Sequence, residues 1–276
     1  MYLGAVLSIV DTLTDFDAIY LFFKHGNTNF AWANLAFISI SLFLQLLVVV
    51  VQNKKRGNQA KAYEGLIVLF MLKPAVDARR IASGNVQVEN SLVDPETEHT
   101  FAKCIVMFSE SIPFSVLQSY AVVGSNEHPG RAMASIFISA LSIGYASSVI
   151  SMSWDTNPSK RSISPSFYGY FPDDGRLNVM ILMIIITTIH VLMKVLACSL
   201  MLRLNKVWFW FYACGDMGLY FLLKIIRGDC RYWLNLRGGW SWPISIAERI
   251  VSKVICDFTL LIHFRHRKYL LRPLLL

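Results

Sequence analysis

Residues 107–120 read MFSESIPFSVLQSY, inside an otherwise apolar run from Phe101 to Val123. That run has the length, about 20 residues, that a helix needs to cross a bilayer. A carboxylate, Glu110, stands three residues before Pro113, with Ser109 and Ser111 on either side. In hydrocarbon Pro113 donates no backbone hydrogen bond and its ring displaces the carbonyl of Ser109, so a helix kink is expected at Pro113. A carboxylate beside a kink is costly in lipid, and this side of the helix must therefore face protein or water. The other charged helices are expected to gather around it.

Outward from this stretch, apolar runs of similar length recur. Of the 276 residues, 55% are hydrophobic and only 16% are charged, against roughly 25% charged in soluble domains. The fold class is all-α: a polytopic helical membrane protein, one transmembrane domain over residues 1–276. The net charge of +8 does not point to nucleic acid, because the basic residues sit in short segments between apolar runs, the positive-inside pattern. The five cysteines form no CxxC pair or ligand cluster, so no disulfide framework, metal or cofactor is expected. The N-terminus lacks a basic leader region and carries Asp11, Asp15 and Asp17. It reads as a retained first span rather than a cleaved signal peptide.

That first span, Tyr2 to Phe23, contains DTLTD. Asp11 and Asp15 are four apart and share a helical face, whereas Asp17 points away and reads as interfacial. Intramembrane acids usually mark a polar path; the alternative for Asp11 and Asp15 is a structural pair bonded within the bundle. Phe30 to Val51 is the second span, followed by a cytosolic loop, about 52–64, with Lys54, Lys55, Arg56 and Lys61. Gly65 to Ala78 is apolar but too short to span, and Lys73-Pro74 interrupts it. A re-entrant helix or an interfacial amphipathic helix fits. Residues 79–100 read as a cytosolic, acidic loop.

After Phe101–Val123 and a short turn, Ala132 to Trp154 returns with Ala140, Gly144 and Ser148 at four-residue spacing, the small-residue pattern of close helix packing. Residues 155–177 form a cytosolic linker in which Arg161 to Pro165 resembles a phosphorylation segment. Leu177 to Leu202 carries His190 and Lys194 on one face, and Val207 to Ile226 carries Asp216 in mid-span and Lys224 near its end. Lys194 and Asp216, on consecutive spans, are expected to pair. Trp233, Trp240 and Trp242 read as an interfacial belt. Ser245 to Phe264, interrupted by Glu248, Arg249, Lys253 and Asp257, reads as a second re-entrant element that leaves the basic tail, 265–276, in the cytosol. The count is about six transmembrane helices plus two short re-entrant or interfacial helices, in an order that suggests an internal repeat.

At this point the chain resembles the XK-related family of membrane proteins. The resemblance rests on D-x-x-T-D as Asp11, Thr14 and Asp15, with Gly26 closing the span and Gln45 late in the next. It rests also on F-x-E-S-x-P as Phe108, Glu110, Ser111 and Pro113, followed by Leu117, Gln118 and Tyr120, and on the run Leu141 to Ala146. Lys194 stands where the family tends to have arginine. The family's Pro-Gln is Pro113-Phe114 here, its usual acid one turn before Glu110 is Val106, and relative to the family's eight spans the chain is divergent and shortened at its C-terminal end.

Some members are phospholipid scramblases and others are membrane partners of further proteins. The resemblance implies that Asp11, Asp15, Glu110 and Lys194 belong to a polar path for headgroups; Asp216 is grouped with them as a buried charge. The alternatives are a non-catalytic scaffold or partner subunit, and an ion or solute transporter using the buried carboxylates. No enzyme is expected: GxSxG is absent, and no His stands at catalytic spacing from a loop Asp. The expected partners are membrane lipids and a protein partner or a second copy. The expected location is an integral, multi-pass position in the plasma membrane or an endomembrane.

Overall fold

In hydrocarbon a backbone must satisfy its own hydrogen bonds, and every regular element among the described residues is accordingly a helix. The structure is a computed structural model that describes residues 2–83, 95–124, 130–158, 171–172, 174–226 and 241–259. The helices are α1 (Tyr2–Lys24), α2 (Thr28–Gln52), α3 (Asn58–Leu69), α4 (Lys73–Ala82), α5 (Pro95–Val106), α6 (Ile112–Gly124), α7 (Gly130–Thr156), α8 (Arg176–Leu204), α9 (Lys206–Ile226) and α10 (Ser241–Thr259). A π turn, Met107–Ser111, joins α5 to α6 in one 30-residue helix. The Arg161–Pro165 segment, Trp233, Trp240, the side chain of Trp242 and the tail 265–276 lie outside the described residues.

Five helices are long and apolar enough to cross a membrane: α2, Pro95–Gly124, α7, α8 and α9. Helix α1 has the length, 23 residues, but carries three aspartates and Lys24. Two boundaries differ from the sequence expectation. The stretch 65–78 is not one element: α3 begins at Asn58, inside the expected loop, and a turn with Met71 at φ 55° leads into α4. Lys73-Pro74 starts that second helix, since proline is tolerated in a first turn where its N–H has no helical partner. Likewise Pro95 to Thr100, expected as loop, forms the first turns of α5, where Glu96 and Glu98 suit the positive end of the helix dipole.

The chain divides into two compact units, residues 1–146 and 147–276. In the first, α1 packs on α2 and α4, and α2 also meets α3, α5 and α6. Ala18, Ile19 and Phe22 of α1, Ala31 and Ile38 of α2 and Phe114 of α6 form an apolar core cluster. Gly4 lets α1 approach the Tyr145 ring so closely that a Cβ there would sit 2.5 Å from it. In the second unit α8 packs on α9 and α10, burying Val191, Val195 and Ile255. Ala140, Gly144 and Ser148 are all buried.

A charged cluster ties α3, α4 and α5 together. Lys73 Nζ lies 3.2 Å from Glu64, 3.1 Å from Asp77 and 2.7 Å from Glu98. Arg80 grips Glu64 with both ends of its guanidinium, at 2.5 and 3.0 Å, the strong fork geometry. Gln52 at the end of α2 donates to Glu98 at 3.3 Å. Burial opposes ionisation of Glu64, but the Arg80 and Lys73 contacts outweigh it and hold the carboxyl below its ordinary 4.5. Burial likewise opposes the charge on Lys73, and Asp77, Glu98 and Glu64 together hold it above its ordinary 10.5.

Two outcomes follow from these contacts. Lys73→Met removes the cation nearest Asp77 and Glu98 and leaves Glu64 to Arg80 alone, a loss of about 3–5 kcal/mol for a broken buried pair, readable as a lower thermal midpoint in detergent; Glu98→Gln in the same chain should restore part of it. The contribution of Glu64 is present above its ordinary value and is lost as pH falls through its lowered one. That of Lys73 is present below its ordinary value and is lost as pH rises through its raised one. The midpoint difference between the unaltered protein and Lys73→Met should therefore hold from about pH 5 to 10 and shrink on both sides; a difference that shrinks on one side only would refute the assignment.

Candidate functional site

The four-residue spacing of Asp11 and Asp15 puts both carboxylates on the inner face of α1, 6% and 2% exposed. Ser135 and Ser139 of α7 repeat that spacing opposite them. Ser139 donates to Asp11 at 2.6 Å, and Ser135 donates to Asp15 at 3.3 Å. Gln118 of α6 extends the chain, its Nε2 reaching Ser135 Oγ at 3.2 Å. Thr12 and Thr14 instead bond back to their own helix, at the carbonyls of Ser8 and Asp11. Asp17 is half-buried and lies 3.7 Å from Arg131.

Glu110 arrives at the same place from α5. It lies in the π turn, whose extra residue moves the backbone pairing from four to five residues back, so that the Ile112 N–H reaches the Met107 carbonyl. The disruption expected around Pro113 thus takes the form of a π turn just before it. Met107, Ser109, Glu110 and Ser111 are all buried. Ser41 of α2 is hydrogen-bonded to Glu110. The partly buried cation facing these acids is Lys103, whose charge acts on Asp11 and Glu110 and also on Asp77 of the charged cluster. The sequence reading missed Lys103 because it sits near the start of the apolar run. The signal was its position seven residues, two helical turns, before Glu110.

In the second unit the expected Lys194–Asp216 pair does not form. Lys194 Nζ donates to the Tyr212 hydroxyl at 3.1 Å, one turn short of Asp216 on α9. Asp216 pairs at 2.6 Å with Lys253 of α10, which also holds Asp257 four residues on. His190 Nε2 lies 3.0 Å from the Asp257 carbonyl oxygen. Spacing along each helix was readable, but the register of α10 against α8 and α9 was not. No group of three or more His, Cys, Asp or Glu among the described residues is placed to hold a metal ion.

Long apolar helices that carry partnered charges on their inner faces define a helical membrane protein. The family profile for XK-related protein matches residues 1–233 of the 276, and the chain belongs to the XK-related family. No curated protein and no solved structure matches it.

The two lysines of the second unit should respond differently to truncation. Lys253→Met leaves two carboxylates facing each other and should lower the unfolding free energy by about 2 kcal/mol. Lys194→Met removes one hydrogen bond to a neutral, exposed phenol, a loss of about 1 kcal/mol or less. Thermal unfolding in detergent checks the ranking; equal losses would mean that the pairing is misassigned.

Proposed function

We propose that this protein is a multi-pass membrane protein that moves phospholipid headgroups across the bilayer, with Asp11, Asp15, Glu110 and Lys103 as successive polar partners. The observation that supports this is the placement of three buried carboxyl groups, Asp11, Asp15 and Glu110, on the inner faces of α1 and the π turn, with the charge of Lys103 acting on two of them. Crossing hydrocarbon is slow for a headgroup because its charges must be desolvated, and fixed partners along the way lower that barrier. Along this column, carboxyl oxygens suit the ammonium of a zwitterionic headgroup. Lys103 is the natural contact for its phosphate.

A second reading has an observation of its own. The three acids are no more than 8% exposed, and serines already satisfy them. A scaffold or partner subunit, in which buried charges fix helix packing, would have this arrangement too. So would a closed state of the path.

Reconstitution into liposomes separates the two. With a fluorophore on the headgroup and an external quencher, the protein should carry bleaching past the outer-leaflet half without leakage of a soluble dye. Asp15→Asn and Glu110→Gln should each slow the inner-leaflet phase about tenfold or more, the equivalent of at least about 1.4 kcal/mol of barrier. Bleaching that stops at the outer leaflet in folded protein would leave the scaffold reading standing.

A further inference from the structure

Helix α2 turns Ala31, Asn34, Ile38 and Ser41 inward, at spacings of three or four residues that keep them on one face. Ser41 serves Glu110, while Ala31 and Ile38 belong to the apolar cluster with Ala18, Ile19, Phe22 and Phe114. Asn34 lies between those two, one turn from each, and is 0% exposed. Neither its Nδ2 nor its Oδ1 makes a hydrogen bond within the described residues. A buried amide without partners is rare because it weakens the fold, and leucine has the same branching without polar groups to leave unsatisfied.

A second orphan points to the same region. The hydrogen-bonded chain from Asp15 through Ser135 ends at Gln118, whose Oε1 is also buried and unpartnered. Gln118 is one turn from Phe114 on α6, and α6 packs against α2. Beyond the last charged group of the column, then, come the apolar cluster and, within it, an amide with three unused hydrogen-bonding groups: two N–H and one carbonyl.

We propose that Asn34 is a positioning residue for the headgroup of a zwitterionic phospholipid in the apolar layer next to the charged column. Its two N–H groups serve phosphate oxygens, and its carbonyl accepts from an ammonium or hydroxyl group. The inference rests on the headgroup path proposed above. Its signature is an opposition between stability and rate, which a purely structural role would not give.

The test uses the full chain in phosphatidylcholine–phosphatidylethanolamine liposomes, with Asn34→Leu and Asn34→Gln beside the unaltered protein. Asn34→Leu should raise the thermal midpoint by about 3 °C and slow scrambling about tenfold. Asn34→Gln should keep the rate within about threefold of the unaltered protein. An unchanged rate in Asn34→Leu overturns the inference while leaving the headgroup path intact. A lowered midpoint together with a slower rate also overturns it, because the amide would then be holding the fold through a bound water. An unaltered protein that does not scramble removes the path itself, and this inference with it.

Discussion

The ammonium of Lys103 feels the charge of acids from three elements: Asp11 of α1, Glu110 of the π turn and Asp77 of α4, the last a member of the charged cluster. A lone charge at that depth would unfold a helix or drag water inward, so its presence requires that α1, α4 and the π turn all bring a carboxylate to it. The rest of the first unit follows from meeting that requirement. Helix α7 supplies hydroxyls at the spacing of the aspartates, and α2 supplies Ser41 and Gln52 at the two ends of the acidic stretch. The apolar residues of these helices are left facing outward, where lipid is the solvent.

What was legible in the sequence follows the same physics. A run of apolar residues long enough to cross a bilayer announces itself, and the bounds of α2, α7, α8 and α9 lie within a few residues of those expected. Helices α3 and α4 were harder to read because their buried groups include Glu64, Lys73 and Asp77, which resemble the charges of a solvated loop. Their partner Glu98 comes from a third helix, and no local pattern shows that three polar segments will satisfy one another. The spacing of Asp11 and Asp15 could be read, since it depends on one helix alone. The replacement of Asp216 by Tyr212 as the partner of Lys194 could not, since a shift of one turn between neighbouring helices leaves both sequences unchanged.

The two units solve the problem of intramembrane charge differently. In the second, Lys253 takes two carboxylates and Lys194 lies 5.6 Å from the Tyr212 ring centroid as well as on its hydroxyl. Both of these cations have a protein partner, and Asp216, whose side chain is 41% exposed, keeps its charge partner beside it. In the first, hydroxyl and amide groups do much of the solvating, leaving an excess of acid that no nearby protein cation cancels among the described residues. Neutral donors satisfy lone pairs without adding positive charge, so these acids have fewer cations than carboxyl groups beside them. That difference is why the first unit, and not the second, is the better candidate for a path.

Pro113 and the π turn place an irregular stretch of helix at Glu110. A π turn is one residue more than the α-helix needs, and its weaker pairing makes local rotation less costly than in a regular helix. Ser109 and Ser115 already donate to the carbonyls of Ile105 and Ser111, so the backbone around the irregularity has side-chain partners on both flanks. Glu110 sits inside the turn rather than beside it, and any change in the turn changes which way its carboxylate points. A rigid α-helix would hold Glu110 against Ser41 alone. The irregular one leaves Glu110 bonded to Ser41 and within the field of Lys103.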